Sequence, residues 1–475
     1  MKKNVLTLLL LFNVTLLYAQ GYTITLQSNY KAGVAYLTYY LGKDFLLQDS
    51  AAVSNKGIAI FKNKNSLPAG IYVIVFPGKR LTADFLIDKE QNITIVADTN
   101  NLVNLQVKGS PANDLFKAYQ TTVNKKGMLL QSSRKAYEQS KTKQDSAKNE
   151  LQYKTLSQDL NNYREQMVKN NPTSMMAALL LALKESPQPT KIAVTRQDSI
   201  DNYYYYKAHF WDGITFMDDR IVRTPFFLPK LEAYYKQIMP QAADSLIKDI
   251  DYKLLLARSA PEMYKFLLNW FTDQYLSPKY MGQDAVFVHL YQKYHSQKLA
   301  PWLNKAQDSV ITRRAFMLMS NLIGEQAANL DMVDTAGKPM PLYNLQADYT
   351  LVVFWDPTCG HCKQEIPRID SIYRVTWKQK NMKIYAVLSE TEKQKQLWLT
   401  YIQDNKIGDW TNVYQPTAIA DDELKNNRPT YRQLYDVTVT PTLFLLDKQK
   451  RIIAKKLSIE QINDFLTVQE KPATK

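Results

Sequence analysis

Two cysteines occur in the 475 residues of this chain, Cys359 and Cys362, and they stand three positions apart at the end of an apolar run. Leu351, Val352, Val353, Phe354 and Trp355 form an unbroken hydrophobic stretch of strand length, the pattern of a strand covered on both faces. Asp356-Pro357-Thr358 breaks the run, and Cys359-Gly360-His361-Cys362 opens the helix that follows. A strand buried on both sides needs helices packed against it, which confines this third of the chain to an α/β layering. The remaining order agrees: Lys383–Leu388 reads as a strand, Glu392–Asp404 as a helix, Leu443–Leu446 and Arg451–Lys455 as a hairpin pair, and Ile459–Leu466 as a closing helix.

With both thiols in one short motif, no network of structural disulfides is possible, and the two must be explained together. A zinc site is disfavoured because no second Cys or His pair supplies the other two ligands, and His209, His289 and His295 have no ligand partners at metal spacing. A purely structural disulfide is disfavoured because it would close too short a loop to stabilise much. Redox chemistry fits better. A cysteine at the first turn of a helix faces unpaired N–H groups and the positive end of the helix dipole, which favour thiolate and make Cys359 the nucleophile. Cys362, about one turn deeper, is placed to attack a mixed disulfide on Cys359 and release the partner. His361 between them can donate a hydrogen bond or, protonated, a charge to the thiolate, which would favour the reduced form and make the disulfide more oxidising.

Upstream the chain changes character twice. At roughly 150 residues per domain its length suggests about three domains, and 45% hydrophobic residues with only 14 Gly and 20 Pro argue against disorder. Short strands are expected at Tyr22–Leu26, Val34–Tyr40, Ile58–Phe61, Ile71–Phe76, Phe85–Ile87 and Ile93–Ala97, with turns at Gly57, Pro68-Ala69-Gly70 and Pro77-Gly78. That spacing suggests a small antiparallel sandwich or open barrel. Ser110 before Pro111 starts a helical region reaching about residue 320, in which Tyr153, Leu156, Leu160, Tyr163 and Met167 share one face of a helix that stops before Asn171-Pro172. The block Tyr203-Tyr204-Tyr205-Tyr206, with His209, Phe210 and Trp211 behind it, reads as an aromatic helix packed on its neighbours, with a carbohydrate or peptide platform as the alternative. The formal charge is +15, of which residues 321–475 carry only +1, so the basic excess is scattered upstream as a solvated surface. Lys2 and Lys3 precede an apolar run, Val5–Leu17, of signal-peptide length, with cleavage expected after Ala19, and no cysteine near it for lipid attachment. Nucleic acid is therefore disfavoured as a partner.

The C-terminal third resembles the thioredoxin superfamily, and within it the exported TlpA/ResA-like thiol-disulfide oxidoreductases. Phe354-Trp355 leading into the Cys-x-x-Cys, Pro367 five residues past Cys362, and Val439-Thr440-Pro441-Thr442 carry the resemblance. The resemblance covers roughly residues 323–468, and with the upstream patterns it gives a multidomain chain: residues 1–19 a signal peptide, 20–110 a small all-β, sandwich-like domain of unknown role, 111–320 an all-α domain, and 321–475 an α/β thioredoxin-like fold. It implies that Thr440-Pro441 is a cis peptide beside the thiols which, with Trp355, binds substrate. It also matches Glu365, three residues after Cys362, to an acidic residue near the site, here the expected proton acceptor for Cys362. The buried Asp that thioredoxin places before its first cysteine is replaced by Val353, and its second Trp by Thr358. A peroxidase is disfavoured because Val352 and Asp356 stand where peroxiredoxins carry other residues.

The implied activity is thiol-disulfide exchange with protein partners of the periplasm or cell envelope, reducing them, with a membrane electron donor. No cofactor follows from the motif: no metal, nucleotide or flavin. Two alternatives stand beside it, a disulfide oxidant or isomerase, as the Cys-Gly-His-Cys dipeptide suggests, and an envelope binding protein whose thioredoxin-like domain is subordinate.

Overall fold

The computed structural model describes residues 21–389 and 394–469. The expected signal peptide, residues 1–19, and Glu392, at the start of an expected helix, lie outside them. Among the described residues two compact units form: one of residues 21–239 with Lys253–Phe266, the other of Pro240–Tyr252 with the described residues from Leu267 onward.

The first unit opens with two four-stranded sheets. One runs Ile58–Asn63, Tyr22–Ser28, Asn92–Ala97 and Gln106–Lys108; the other runs Asp44–Ala52, Val34–Leu41, Gly70–Val75 and Thr82–Ile87. Alternating residues such as Ile24, Leu26, Leu37, Tyr72 and Phe85 close one buried core between them. Gly57 turns the chain with φ of 80°, and a Cβ there would lie 2.1 Å from the Ser28 carbonyl oxygen, so glycine is required. The all-β expectation holds, with two differences. Asp44–Ala52 is a strand with no legible pattern, because Phe45, Leu46 and Leu47 face solvent on the sheet edge. Tyr22–Ser28 and Asn92–Ala97 pair in parallel, which the long connection between them permits.

Helices follow. Ser110 caps Pro111–Glu138 by accepting from the Asn113 N–H, and Asn113 in turn accepts from the Leu86 N–H and donates to the Leu86 carbonyl, both at 2.8 Å. Its amide thereby continues the ladder of the edge strand Thr82–Ile87. Lys143–Asn170 ends at Asn171 as expected, with Leu160 and Met167 its buried residues. The tyrosine block lies on Arg196–His209 and packs in part: Tyr204 and Tyr205 are exposed, whereas Tyr203 and Tyr206 are half-buried, Tyr203 donating its hydroxyl to the Ile238 carbonyl at 2.8 Å and Tyr206 packing on buried Phe210 at 5.9 Å. Further packed aromatics come after it, with Trp211 ringed by Phe216 and Tyr234 at 5.0 Å each.

In the second unit a six-stranded sheet runs Ile452–Lys455, Thr442–Leu446, Tyr349–Trp355, Met382–Leu388, Thr411–Tyr414 and Val333–Asp334. The three middle strands are parallel and the others antiparallel to their neighbours. Leu351, Val353 and Trp355 enter one core with the helices Gly360–Ile372, Lys395–Asp404 and Ile459–Gln469. Val352 and Phe354 enter another with Tyr385, Tyr431 and Tyr435. The continuous apolar run is thus shared between two cores, the reason it shows no alternation. Helices also precede the sheet, among them Lys305–Met319. The fold is thioredoxin-like, behind an all-β domain and a helical region. Among the described residues no helix is long and apolar enough to cross a membrane.

Candidate active site

The central strand delivers the thiols. Where it ends, the Trp355 carbonyl accepts from the Ser389 N–H at 2.8 Å, and the Asp356 carboxylate accepts from the Thr358 N–H at 2.7 Å and its hydroxyl at 2.8 Å. This Asx turn swings the chain into the helix Gly360–Ile372, with Cys359 as its N-cap residue. Pro367 lies within that helix, where it removes the N–H that would bond the Lys363 carbonyl.

The two thiols, unbridged here, meet different surroundings. Cys359 is partly exposed at the open helix end, and its Sγ donates to the Thr440 carbonyl at 3.4 Å. Burial pushes this thiol up, but the backbone N–H of Cys362, then the Thr440 and Cys362 side chains and the His361 N–H, favour the thiolate and hold it below the usual thiol value. Sγ makes no formal capping bond, so the pull of the helix end is electrostatic. Cys362 is fully buried beside Val353, Trp355 and Ile366. Burial, only partly offset by the Asp356 N–H donating at 3.5 Å, pushes it up to about 12. One thiol is accessible and acidic, the other hidden and reluctant to ionise.

The other predicted residues divide. The Thr440-Pro441 peptide is cis and its carbonyl touches the nucleophile. Val439 beside it is exposed. His361 is exposed, and no hydrogen bond joins its ring to either thiol; its backbone N–H supplies its share of the thiolate's support. Glu365 lies one turn beyond Cys362, but its carboxylate accepts from Arg368 at 2.5 Å, and Arg368 also pairs with Glu460. Trp355 is fully buried, so its side chain lies beneath the site and is not a surface for substrate. Its ring packs on Tyr401 at 5.1 Å. Tyr401 escaped the sequence reading: it packs against the core that holds Cys362, and burial, then Cys362, push its phenol up. A tyrosine within a later helix carries no sequence signal of that neighbourhood. The three histidines set aside above are bonded locally, His209 to Asp212, His289 to Asp251 and His295 to Thr272. Among the described residues no group of three His, Cys, Asp or Glu side chains could hold a metal ion.

A thioredoxin-like sheet presenting a half-exposed and a buried cysteine on one helix end, against a cis-proline, is the arrangement of a thiol-disulfide oxidoreductase. Comparison with known proteins agrees: residues 323–455 match the model of the AhpC/TSA family. Residues 22–116 match a domain of unknown function, DUF4369. The chain is 26% identical over 148 residues to the thiol-disulfide oxidoreductase ResA of a Bacillus cereus strain, covering 30% of this chain and 76% of that protein. A solved domain of a possible thiol-disulfide isomerase from Cytophaga hutchinsonii is 39% identical, covering 32% of this chain and 94% of that one, with a TM-score of 0.27. A thioredoxin-like protein from Bacteroides caccae is 19% identical, covering 61% of this chain and all of that one, with a TM-score of 0.45. The chain is an enzyme of thiol-disulfide exchange.

The unequal thiols predict unequal chemistry. In the reduced protein, iodoacetamide should modify Cys359 alone at neutral pH, with a midpoint below the ordinary 9.0, while Cys362 stays protected until the pH approaches about 12. Mass spectrometry across a pH series checks this; equal rates at both cysteines would contradict it.

Proposed function

We propose that this protein is exported and reduces disulfides of proteins in the cell envelope, with Cys359 attacking and Cys362 resolving. The observation that carries this reading is the contrast between the half-exposed Cys359, facing the Thr440 carbonyl, and the buried Cys362. The Cys359 thiolate attacks one sulfur of a substrate disulfide, forming a mixed disulfide and releasing one substrate thiolate. Cys362 then loses its proton and attacks Cys359 Sγ, which frees the second substrate sulfur and leaves the Cys359–Cys362 disulfide. Two electrons pass to the substrate, so a donor, in this reading one in the membrane, must return two to the enzyme.

Thr440 and Pro441 present backbone on which an extended substrate segment can lie beside Cys359, which favours flexible partners over particular side chains. Glu365 is the proposed proton acceptor for Cys362, one helical turn away; in that role its pair with Arg368 opens during turnover. The reducing direction is supported by the exposed His361 ring, which makes no hydrogen bond to a thiol and so adds little of the stabilisation that would make the pair oxidising. Export is supported by Lys2, Lys3 and the apolar run Val5–Leu17. Residues 20–110 and 111–320 are proposed as accessory domains ahead of a catalytic domain at 321–475.

Three experiments test these roles. Cys362→Ala should accumulate covalent partner complexes through Cys359, and Cys359→Ala should form none; identical behaviour of the two variants would falsify the assignment. Glu365→Gln should slow turnover about tenfold or more and shift its pH profile with the fold intact, as loss of a general base does; an unchanged profile removes Glu365 from the mechanism. Equilibration with glutathione or dithiothreitol should give a potential near about −270 mV for a reductase, whereas about −180 mV would favour the oxidant or isomerase reading.

A further inference from the structure

The loop that faces Cys359 is anchored from outside the matched residues 323–455. After the short helix Tyr431–Leu434 the chain turns at Asp436, which has a left-handed φ of 48°, and runs through Val437–Thr440 to the cis-proline. The Asp436 side chain is only 1% exposed. Its two oxygens take one cation each: Arg314 Nη1 at 2.5 Å and Lys456 Nζ at 2.5 Å. Arg314 belongs to the helix Lys305–Met319 and also donates its Nε to the Leu276 carbonyl at 3.1 Å, which ties it to the end of another helix. Asn321 adds a second anchor, donating to the Leu434 carbonyl at 3.0 Å. Beyond Asp436 the loop is held by Thr442 Oγ1, which donates to the Val439 carbonyl at 2.5 Å.

We propose that Arg314, through Asp436 and with Lys456, is a positioning residue for the substrate-docking loop Val437–Pro441, so that the helical segment sets how well the enzyme holds a protein substrate beside Cys359. The inference rests on the thiol-exchange reading above and deepens it. A carboxylate this buried is tolerated only while both cations face it, and the residue it fixes begins a five-residue path to Pro441, whose preceding carbonyl touches the nucleophile. Burial alone would push the Asp436 carboxyl up, yet Arg314 and Lys456 hold it below the usual range, in keeping with a clamp that stays charged. An Arg is suited to it because its planar fork spans the Leu276 carbonyl and the carboxylate together.

The test uses the full chain, with insulin as a protein disulfide, dithiothreitol as the reductant that regenerates the dithiol, and dithiobisnitrobenzoate as a small disulfide that needs no docking. Arg314→Met should raise KM for insulin by roughly three- to tenfold with kcat changed less than about twofold, and leave the rate with the small disulfide unchanged. Arg314→Lys, which keeps the charge and loses the fork, should fall between, and Lys456→Met, removing the more exposed arm, gives a second reading should Arg314→Met fail to fold. If folded variants show the parent KM for insulin while melting earlier, the clamp is merely structural and the proposal is overturned. Failure of the underlying reading would look different: Cys362→Ala would then trap no partner even in the parent background.

Discussion

The site depends above all on the burial of the strand Tyr349–Trp355 from both sides. Val353 and Trp355 hold one core and Val352 and Phe354 the other, so the strand can neither slip nor tilt without opening a core. Because its end is fixed, so is the start of the helix Gly360–Ile372, and with it the separation of the two thiols. Cys362 falls into the core that Val353 and Trp355 build, where desolvation dominates; Cys359 stays at the rim, where backbone dipoles act on it. A single packing constraint therefore produces opposite chemistry in two identical side chains three residues apart.

Side chains contribute less to the reaction centre than the motif suggests. The thiolate of Cys359 is supported first by the Cys362 N–H, then by the Thr440 and Cys362 side chains and the His361 N–H, while the His361 ring is exposed. Backbone geometry of this kind is preorganised by the fold and costs no reordering when charge develops on sulfur. Charged side chains gather one layer further out, where Asp436, Arg314 and Lys456 meet at the start of the loop that leads to Thr440, and where Lys455 is buried against Asp284 and Asn321.

Much of this was legible in the sequence, for identifiable reasons. The run Leu351–Trp355, the break at Asp356-Pro357-Thr358 and the cysteine spacing are local signals, and each element appears where they place it. Ser110 and Asn171 mark helix ends by capping, again a local effect. The edge strand Asp44–Ala52 was hidden because its apolar residues face out and so show no alternation. The aromatic block was legible in part: Tyr203 and Tyr206 turn toward neighbours, while Tyr204 and Tyr205 lie on the surface, where a phenol can keep its hydroxyl in water. Trp355 was read as a substrate contact from its place next to the motif, whereas both faces of its strand are covered and it lies in the core with Val353 and Cys362.

By itself the sequence determined the class of chemistry. Two cysteines on one helical turn after a doubly buried strand leave little other than dithiol exchange, because dipole, spacing and the absence of further ligands all act within a dozen residues. Only the tertiary structure decided how the two thiols differ and what surrounds them. Desolvation of Cys362, the approach of Thr440 to Cys359, the neighbourhood of Tyr401 and the pairing of Arg314 with Asp436 join residues tens to more than a hundred positions apart. Such contacts follow from closure of the sheet and helices around their cores, and no local pattern in the chain encodes them.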